Sequence, residues 1–380
     1  MRILHVITRI NQGGTARWLD VLVDEQQRAG HEVLILSGDV QDAEEEDDLV
    51  ASLPVIKVPS LGRAISPIRD VHAAETLALH YRRLKPDLVN THTSKAGALG
   101  RLANRSLGPR RPTLVHTVHG HLLHGFAGPV GTAAIRETER TLGRMSDGII
   151  CVGPTTYEGV TQAGIGRGIP VADILPGARR LHLMPKQEAR RSLGLDEGAF
   201  VVTWMGRLTR QKNPLLALET AALTPEATWL LAGDGDLRAE VEAAAPPNAR
   251  IVGWADPGVV LAAADAYAHT AHWEGFPYSV IEALQAGLPV VSTAAVPPVP
   301  GASIVRGSDA AETAQALAAG IRALENAGPA DEATIRARSA PFLPSSFMRA
   351  HEALYGAATA HRGRAARKAT GAPAAVGGRA

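Results

Sequence analysis

The chain has 380 residues, enough for two domains with separate cores. Apolar content of 45% with 20% charged residues is ordinary for a globular protein, and a net charge of +1 gives no general attraction to nucleic acid. One cysteine, Cys151, excludes an internal disulfide and a multi-cysteine zinc site, and its position after Gly-Ile-Ile marks it as a buried thiol. No stretch of eighteen consecutive apolar residues predicts a membrane span. Met1-Arg-Ile-Leu-His-Val-Ile reads as a strand rather than a signal peptide, so the cytoplasm is the expected compartment.

Arg2 to Thr8 is predicted as a first parallel strand, followed by the loop Arg9-Ile-Asn-Gln-Gly13-Gly14-Thr15 and a helix with Trp18, Leu19, Leu22 and Val23 on its apolar face. Gly30 ends the helix, and His31 to Ser37 is the second strand. The glycine loop is not a Gly-x-Gly-x-x-Gly dinucleotide fingerprint, but paired glycines let backbone approach a ligand closely. Glu44 to Asp48 is an acidic run expected to be a solvated loop. A short strand at Val55 to Val58, a helix over His72 to Leu84 and a strand over Asp87 to His92 follow. Ser94-Lys95-Ala-Gly97 opens another helix, where Lys95 sits at an end that is already positive, a position that suits a bound anion or plain solvation.

Leu114 to His121 holds three histidines, with His119 and His121 on one strand face and His116 on the other if the strand continues. No carboxylate or cysteine stands at ligand spacing and Gly120 interrupts the strand, so no metal site is assigned. Leu122 to Ala133 is a glycine-rich connection, Ile135 to Leu142 a helix, Asp147 to Val152 a strand, Thr155 to Ala163 a helix and Val171 to Leu175 a last strand, with Pro176-Gly177 as the boundary.

A second α/β pattern begins at Ala199 to Met205, followed by Gly206-Arg207-Leu-Thr-Arg-Gln-Lys212. Arg207 and Lys212 could neutralise a diphosphate through charge-assisted bonds where no metal motif is visible. The strand Thr228 to Ala232 ends in Gly233-Asp-Gly235, which lets a flat ring lie against backbone or simply makes a tight turn. Then comes Ala266-Tyr-Ala-His-Thr270 as a strand, and Glu274-Gly-Phe276-Pro277-Tyr278-Ser279-Val-Ile-Glu282 as loop and helix start, with Gly287 ending the helix and Pro289 preventing its continuation. The free N–H groups near Tyr278 and Ser279 favour an anion such as phosphate. Glu274 and Glu282 flank that site and can accept bonds from hydroxyls on either side. Hydroxyls, a diphosphate and further hydroxyls make a nucleotide sugar.

The segment Glu274-Gly-Phe-Pro…Glu282-Ala-Leu-Gln-Ala-Gly-Leu-Pro-Val-Val resembles the Glu-x7-Glu motif of retaining glycosyltransferases, in particular glycosyltransferase family 4. The resemblance implies an α/β chain of GT-B type, two Rossmann-like parallel-sheet domains facing each other across a cleft. It places Glu274 on the donor sugar, Glu282 on the ribose, Arg207 and Lys212 on the diphosphate, and the nucleobase near Gly233 and Gly235, with Phe276, Tyr278 and Ser279 also in the donor site. Gly13-Gly14-Thr-Ala-Arg is similar to the family's Gly-Gly-x-x-Arg loop against the donor phosphates, and Thr-x-His-Gly puts His119 beside the donor sugar, giving His119 and Glu274 as catalytic candidates. Thr91-His92-Thr-Ser-Lys95-Ala-Gly97 is similar to a motif of polysaccharide-type members, which makes His92, Lys95 and His121 acceptor-side candidates.

The implied activity is metal-independent transfer, without a cofactor, from a nucleotide-diphosphate sugar, with UDP-sugar the commonest choice, to a saccharide, lipid-linked or small-molecule acceptor. Alternatives are a nucleotide-sugar epimerase of the same fold and a non-catalytic sugar-binding protein. The chain departs from the family where Pro176-Gly-Ala-Arg179-Arg180 replaces a Pro-Asn-Gly connection, and at the proline-rich loop 297–300. The expected division is residues 1–176, residues 177–345, a terminal helix over 346–360 crossing back to the first domain, and a disordered basic tail over 361–380. That tail allows a weak peripheral association with the inner face of a membrane.

Overall fold

The computed structural model describes all residues except 12, 41–45, 63, 121–128, 275, 294–301 and 371–380, together with the side chains of 129, 130 and 368–370. His121 and the loop 297–300 therefore lie outside the described residues. The chain forms two compact units, one of residues 1–177 with 344–380 and one of residues 178–343.

The first unit is built on a seven-stranded parallel sheet of β1 (Arg2–Ile7), β2 (Glu32–Ser37), β3 (Val55–Lys57), β4 (Leu88–His92), β5 (Thr113–Val118), β6 (Gly148–Val152) and β7 (Val171–Ile174), in the order β3-β2-β1-β4-β5-β6-β7. Every residue of β4, β5 and β6 is buried. Helices cover a parallel sheet on both faces, which is why these strands read as continuous runs instead of alternating ones. The strand order reverses between β1 and β4. Cys151 is buried in β6, where burial pushes its thiol up to about 12, so it is a packing residue.

The last helix, Pro344–Thr370, belongs to this unit. It buries Phe347, Leu354, Tyr355 and Ala358, and Phe347 meets Trp18 of the Gly14–Arg28 helix edge-on at 4.6 Å. The tail expected to be unstructured from His361 is helical through Thr370 instead. Its alanine and arginine residues are strong helix formers and extend a helix already anchored by packing.

The second unit carries a six-stranded parallel sheet of β8 (Val201–Met205), β9 (Thr228–Ala232), β10 (Ala249–Gly253), β11 (Ala266–His269), β12 (Val290–Thr293) and β13 (Ala302–Val305), ordered β10-β9-β8-β11-β12-β13. Here the order reverses between β8 and β11. Its core includes Trp204, Trp229, Leu231, Ala268 and Leu317, all nearly inaccessible. Its two ends meet where Ala178 N–H donates to the Phe342 carbonyl at 2.8 Å. The sequence pattern does not foresee β13, since its exposed middle residues break the apolar run. Among the described residues no helix is long and apolar enough to cross a membrane.

Candidate active site

Loops leaving adjacent parallel strands on opposite sides of a reversal point open a crevice at the carboxyl edge of the sheet. In the second unit the two loops are residues 206–213, after β8, and residues 270–277, after β11. A small hydrogen-bond set locks them together. The Thr270 hydroxyl accepts from the Trp204 indole at 2.8 Å and donates to the carbonyls of Asn213 at 2.8 Å and Lys212 at 3.2 Å. His272 N–H donates to the Gln211 carbonyl at 2.9 Å, and the Gln211 amide returns a bond to the Trp273 carbonyl at 3.1 Å.

The result is that the Lys212 ammonium sits directly on the Glu274 carboxylate, with the lysine side chain 19% and the glutamate side chain 8% exposed. His269, the last residue of β11, lies beneath them with Nε2 3.9 Å from Glu274 Oε1. Neither of its ring nitrogens has a hydrogen-bond partner, and burial, then the nearby Lys212 charge, lowers its pKa to about 3. A neutral imidazole there adds no charge to the pair. Arg207 is exposed and makes no ion pair with a described residue.

The Tyr278–Ala286 helix starts one residue after Pro277, which is its N-cap rather than its first turn, with φ −81° and ψ 107°. No side chain caps it and no acidic residue stands in its first turn, and the Val280 N–H turns back to the Pro277 carbonyl at 3.2 Å. Gly287 closes the helix in the left-handed conformation at φ 87°. Glu282, one turn in, is buried at 7% exposure. Beside this start the Tyr267 phenol donates to the Met205 carbonyl at 3.2 Å; burial foremost raises its pKa, the Ser279 hydroxyl lowers it, and Glu282 and Glu274 add to the rise. Phe276 is buried too, 5.4 Å from Phe342 between ring centroids, and acts as a floor.

Gly233 and Gly235 have φ of +145° and +155°, and a Cβ on either would lie 1.8 Å from the Gly206 carbonyl oxygen or 2.7 Å from that of Leu208. Their glycine character is required by the adjoining 206–208 loop, which also bonds Leu208 N–H to the Asp234 carbonyl at 2.8 Å. This packing sets where Arg207 and Lys212 leave the sheet.

In the first unit, Gly13 takes φ +146° with open space where a Cβ would stand, and Gly14 begins the helix through Arg28. Thr93, next to His92, holds φ +62°, an outlier for a β-branched residue, supported by a 2.7 Å bond between its hydroxyl and that of Thr8. His119 lies just beyond β5, so the expected alternation with His121 stops at Val118. Its Nε2 is 2.9 Å from His92 Nδ1, and Trp18 packs edge-on to it at 5.4 Å. His92 is fully buried and Lys95 is paired with Asp70 at 2.7 Å, also bonding the Ala64 carbonyl. His92 therefore offers no surface to an acceptor, and Lys95 is neither solvated nor unpaired. Arg179 and Arg180 are exposed. Among the described residues no three His, Cys, Asp or Glu side chains are grouped to hold a metal ion.

A sheet-edge site with an uncapped helix start, a clustered lysine and two buried carboxylates suits a ligand that carries both phosphate and hydroxyl groups. The Glycosyltransferase Family 4 model matches residues 12–171, and the Glycosyl transferases group 1 model matches residues 185–338. The chain is 30% identical over 267 residues to the UDP-Gal:alpha-D-GlcNAc-diphosphoundecaprenol alpha-1,3-galactosyltransferase of Escherichia coli, covering 64% of this chain and 67% of that one. It is 27% identical over 286 residues to a GDP-mannose-dependent alpha-mannosyltransferase of Mycobacterium tuberculosis, covering 71% and 72%. Among solved structures, Anabaena HepE in complex with UDP and glucose aligns over 94% of this chain and 100% of its own, with TM-score 0.74 and 18% identity. A glycosyltransferase of Rickettsia africae aligns over 94% and 98%, with TM-score 0.76 and 16% identity. The fold is GT-B. The chain belongs to glycosyltransferase family 4 and is a glycosyltransferase.

Proposed function

We propose that this enzyme moves a hexosyl or N-acetylhexosaminyl group from a UDP-sugar to an acceptor hydroxyl with retention of anomeric configuration, and needs no metal. The observation that carries the reading is the Lys212–Glu274 pair at the carboxyl edge of β8 and β11, beside the uncapped start of the Tyr278–Ala286 helix. An ammonium has three donors, so one held by Glu274 leaves two for phosphate oxygens. With Arg207 and the positive end of the helix it supplies the countercharge that a departing nucleoside diphosphate requires. That replaces the role a divalent ion plays elsewhere. Glu274 accepts from sugar hydroxyls and Glu282 from the ribose. Gly13 and Gly14 are proposed for the donor phosphates, His119 for the sugar, and Gly233 and Gly235 for the nucleobase side.

UDP is favoured over GDP because the relative of higher identity uses UDP-Gal by name and HepE was crystallised with UDP. The Escherichia coli relative's name also favours a saccharide on a lipid diphosphate as acceptor. The test has two stages. Thermal shift with UDP, GDP and ADP should stabilise only with UDP, by about 2.7 kcal/mol at 100 times its dissociation constant. Transfer in excess EDTA, with the product's anomeric configuration read by NMR, should then proceed with retention. Inversion, EDTA sensitivity, or isomerised donor formed without acceptor would each overturn the corresponding part.

A further inference from the structure

Behind His119 the first unit buries a line of polar groups in an otherwise apolar interior. His119 Nε2 is 2.9 Å from His92 Nδ1, His92 Nε2 is 3.0 Å from His5 Nδ1, and His5 Nε2 is 2.8 Å from Gln26 Oε1. The Gln26 amide nitrogen donates to the Tyr355 phenol oxygen at 3.3 Å, and Asn90 Nδ2 donates to the same oxygen at 2.9 Å. His5, His92, Gln26 and Asn90 are completely buried. Every ring nitrogen between Gln26 and His119 is used by the next ring, so the three imidazoles stand in series.

We propose that Gln26, through His5 and His92, fixes the tautomer of His119 with its proton on Nε2 and a lone pair on Nδ1, making His119 a hydrogen-bond acceptor toward its ligand. The argument is one of counting protons. The Gln26 oxygen can only accept, so His5 Nε2 carries the proton and, in a neutral ring, His5 Nδ1 is bare. His92 Nε2 must then donate, which leaves His92 Nδ1 bare. His119 Nε2 must donate in turn, and its Nδ1 keeps the lone pair. Burial holds all three rings neutral, lowering His5 to about 4, His92 well below its ordinary value and His119 to about 3. Turning the Gln26 amide over would reverse every proton in the series. The Gln26 amide nitrogen faces the Tyr355 oxygen and its oxygen faces His5, which is the arrangement that gives the stated sense.

The chemical consequence is selective. A phosphate oxygen only accepts, so this tautomer does not serve the leaving diphosphate. A sugar hydroxyl donates, so it does suit one. The assignment to a sugar hydroxyl rests on the function proposed above; the tautomer does not. Gln26, His5 and His92 are positioning residues.

The experiment is a long-range proton–nitrogen NMR spectrum of the full chain labelled with 15N-histidine, with a His119→Gln spectrum to assign the ring. His119 is expected to show a protonated Nε2 and an unprotonated Nδ1 in the wild type and in Gln26→Glu, whose carboxylate oxygen also accepts. Gln26→Leu should mix the two tautomers and lower kcat by about tenfold or more, with a smaller change in the donor KM, while Gln26→Glu stays near wild type. A proton on His119 Nδ1 in the wild type overturns the series, whether or not the leucine variant folds. A scrambled tautomer with unchanged kcat overturns the positioning role and with it the placing of His119 on the sugar, while UDP binding in the second unit would be untouched.

Discussion

Replacing Lys212 by Met separates the stabilising and catalytic parts of the Lys212–Glu274 pair. The glutamate side chain is 8% exposed, so removing the ammonium leaves a carboxylate inside the protein without its countercharge. Breaking a buried pair in this way costs about 3–5 kcal/mol, and the 19% exposure of the lysine points to the lower end, near 3 kcal/mol. For a unit the size of residues 178–343, each kcal/mol moves the thermal midpoint by roughly 2–4 °C, giving a drop of roughly 6–12 °C. The double variant Lys212→Met/Glu274→Gln removes both charges and should recover most of that loss. Catalysis should follow the other pattern. Losing one preorganised stabiliser of leaving-group charge lowers kcat by about 10²–10³-fold, and the double variant should stay inactive. Calorimetry of wild type, both single variants and the double variant, beside a coupled assay for released UDP, completes the cycle for stability and for turnover. The reasoning fails if Lys212→Met keeps the wild-type midpoint, or if it turns over within threefold of wild type.

Gly233→Ala would put a Cβ 1.8 Å from the Gly206 carbonyl, so the 206–208 loop must shift; UDP affinity should fall at least tenfold by calorimetric titration, while an unchanged affinity would detach that loop from the donor site. Phe347→Ala should cost about 3–5 kcal/mol, because a fully buried ring packed on Trp18 and over Gly177 is deleted; denaturation monitored by circular dichroism checks it. Acid should destabilise the chain. His5 and His269 titrate near 6.5 when unfolded but at about 4 and about 3 when folded, so the unfolded chain binds the extra protons below pH 6.5. Stability is complete above that pH and falls toward pH 4, by about 2 kcal/mol per buried histidine at pH 5. A His269→Asn variant should show a shallower slope by about one proton, and an identical slope would mean that His269 is already charged in the folded protein.

The two α/β units and the carboxyl-edge placement of the Glu274 loop could be read from the chain because they depend on local signals: apolar runs of strand length, Gly287 and Pro289 after a helix, glycines after strands. Three features could not be read. The pairing of Lys212 with Glu274 joins loops 62 residues apart, and nothing local marks their register. The demand that the Gly206 carbonyl places on Gly233 is not marked locally, because a glycine does not declare which neighbour it makes room for. The terminal helix runs past His361 because packing at Phe347 to Ala358 nucleates it, whereas composition alone suggests a solvated tail.

The buried polar residues of the first unit carry a signal of their own. Gln26 falls on the apolar stripe of the first helix, four residues after Leu22 and three after Val23, and His5 interrupts a buried strand between Leu4 and Val6. Each position is one where an apolar residue would pack at lower cost, since a buried polar group must find a partner or lose roughly 1–3 kcal/mol. Two such exceptions on adjacent elements imply that they satisfy each other, and they do, at 2.8 Å. His92 at the end of β4 and Tyr355 in the last helix meet the same condition and join the same network. Polar residues that violate an apolar pattern therefore mark a network in the sequence itself, and in this chain the network leads to His119.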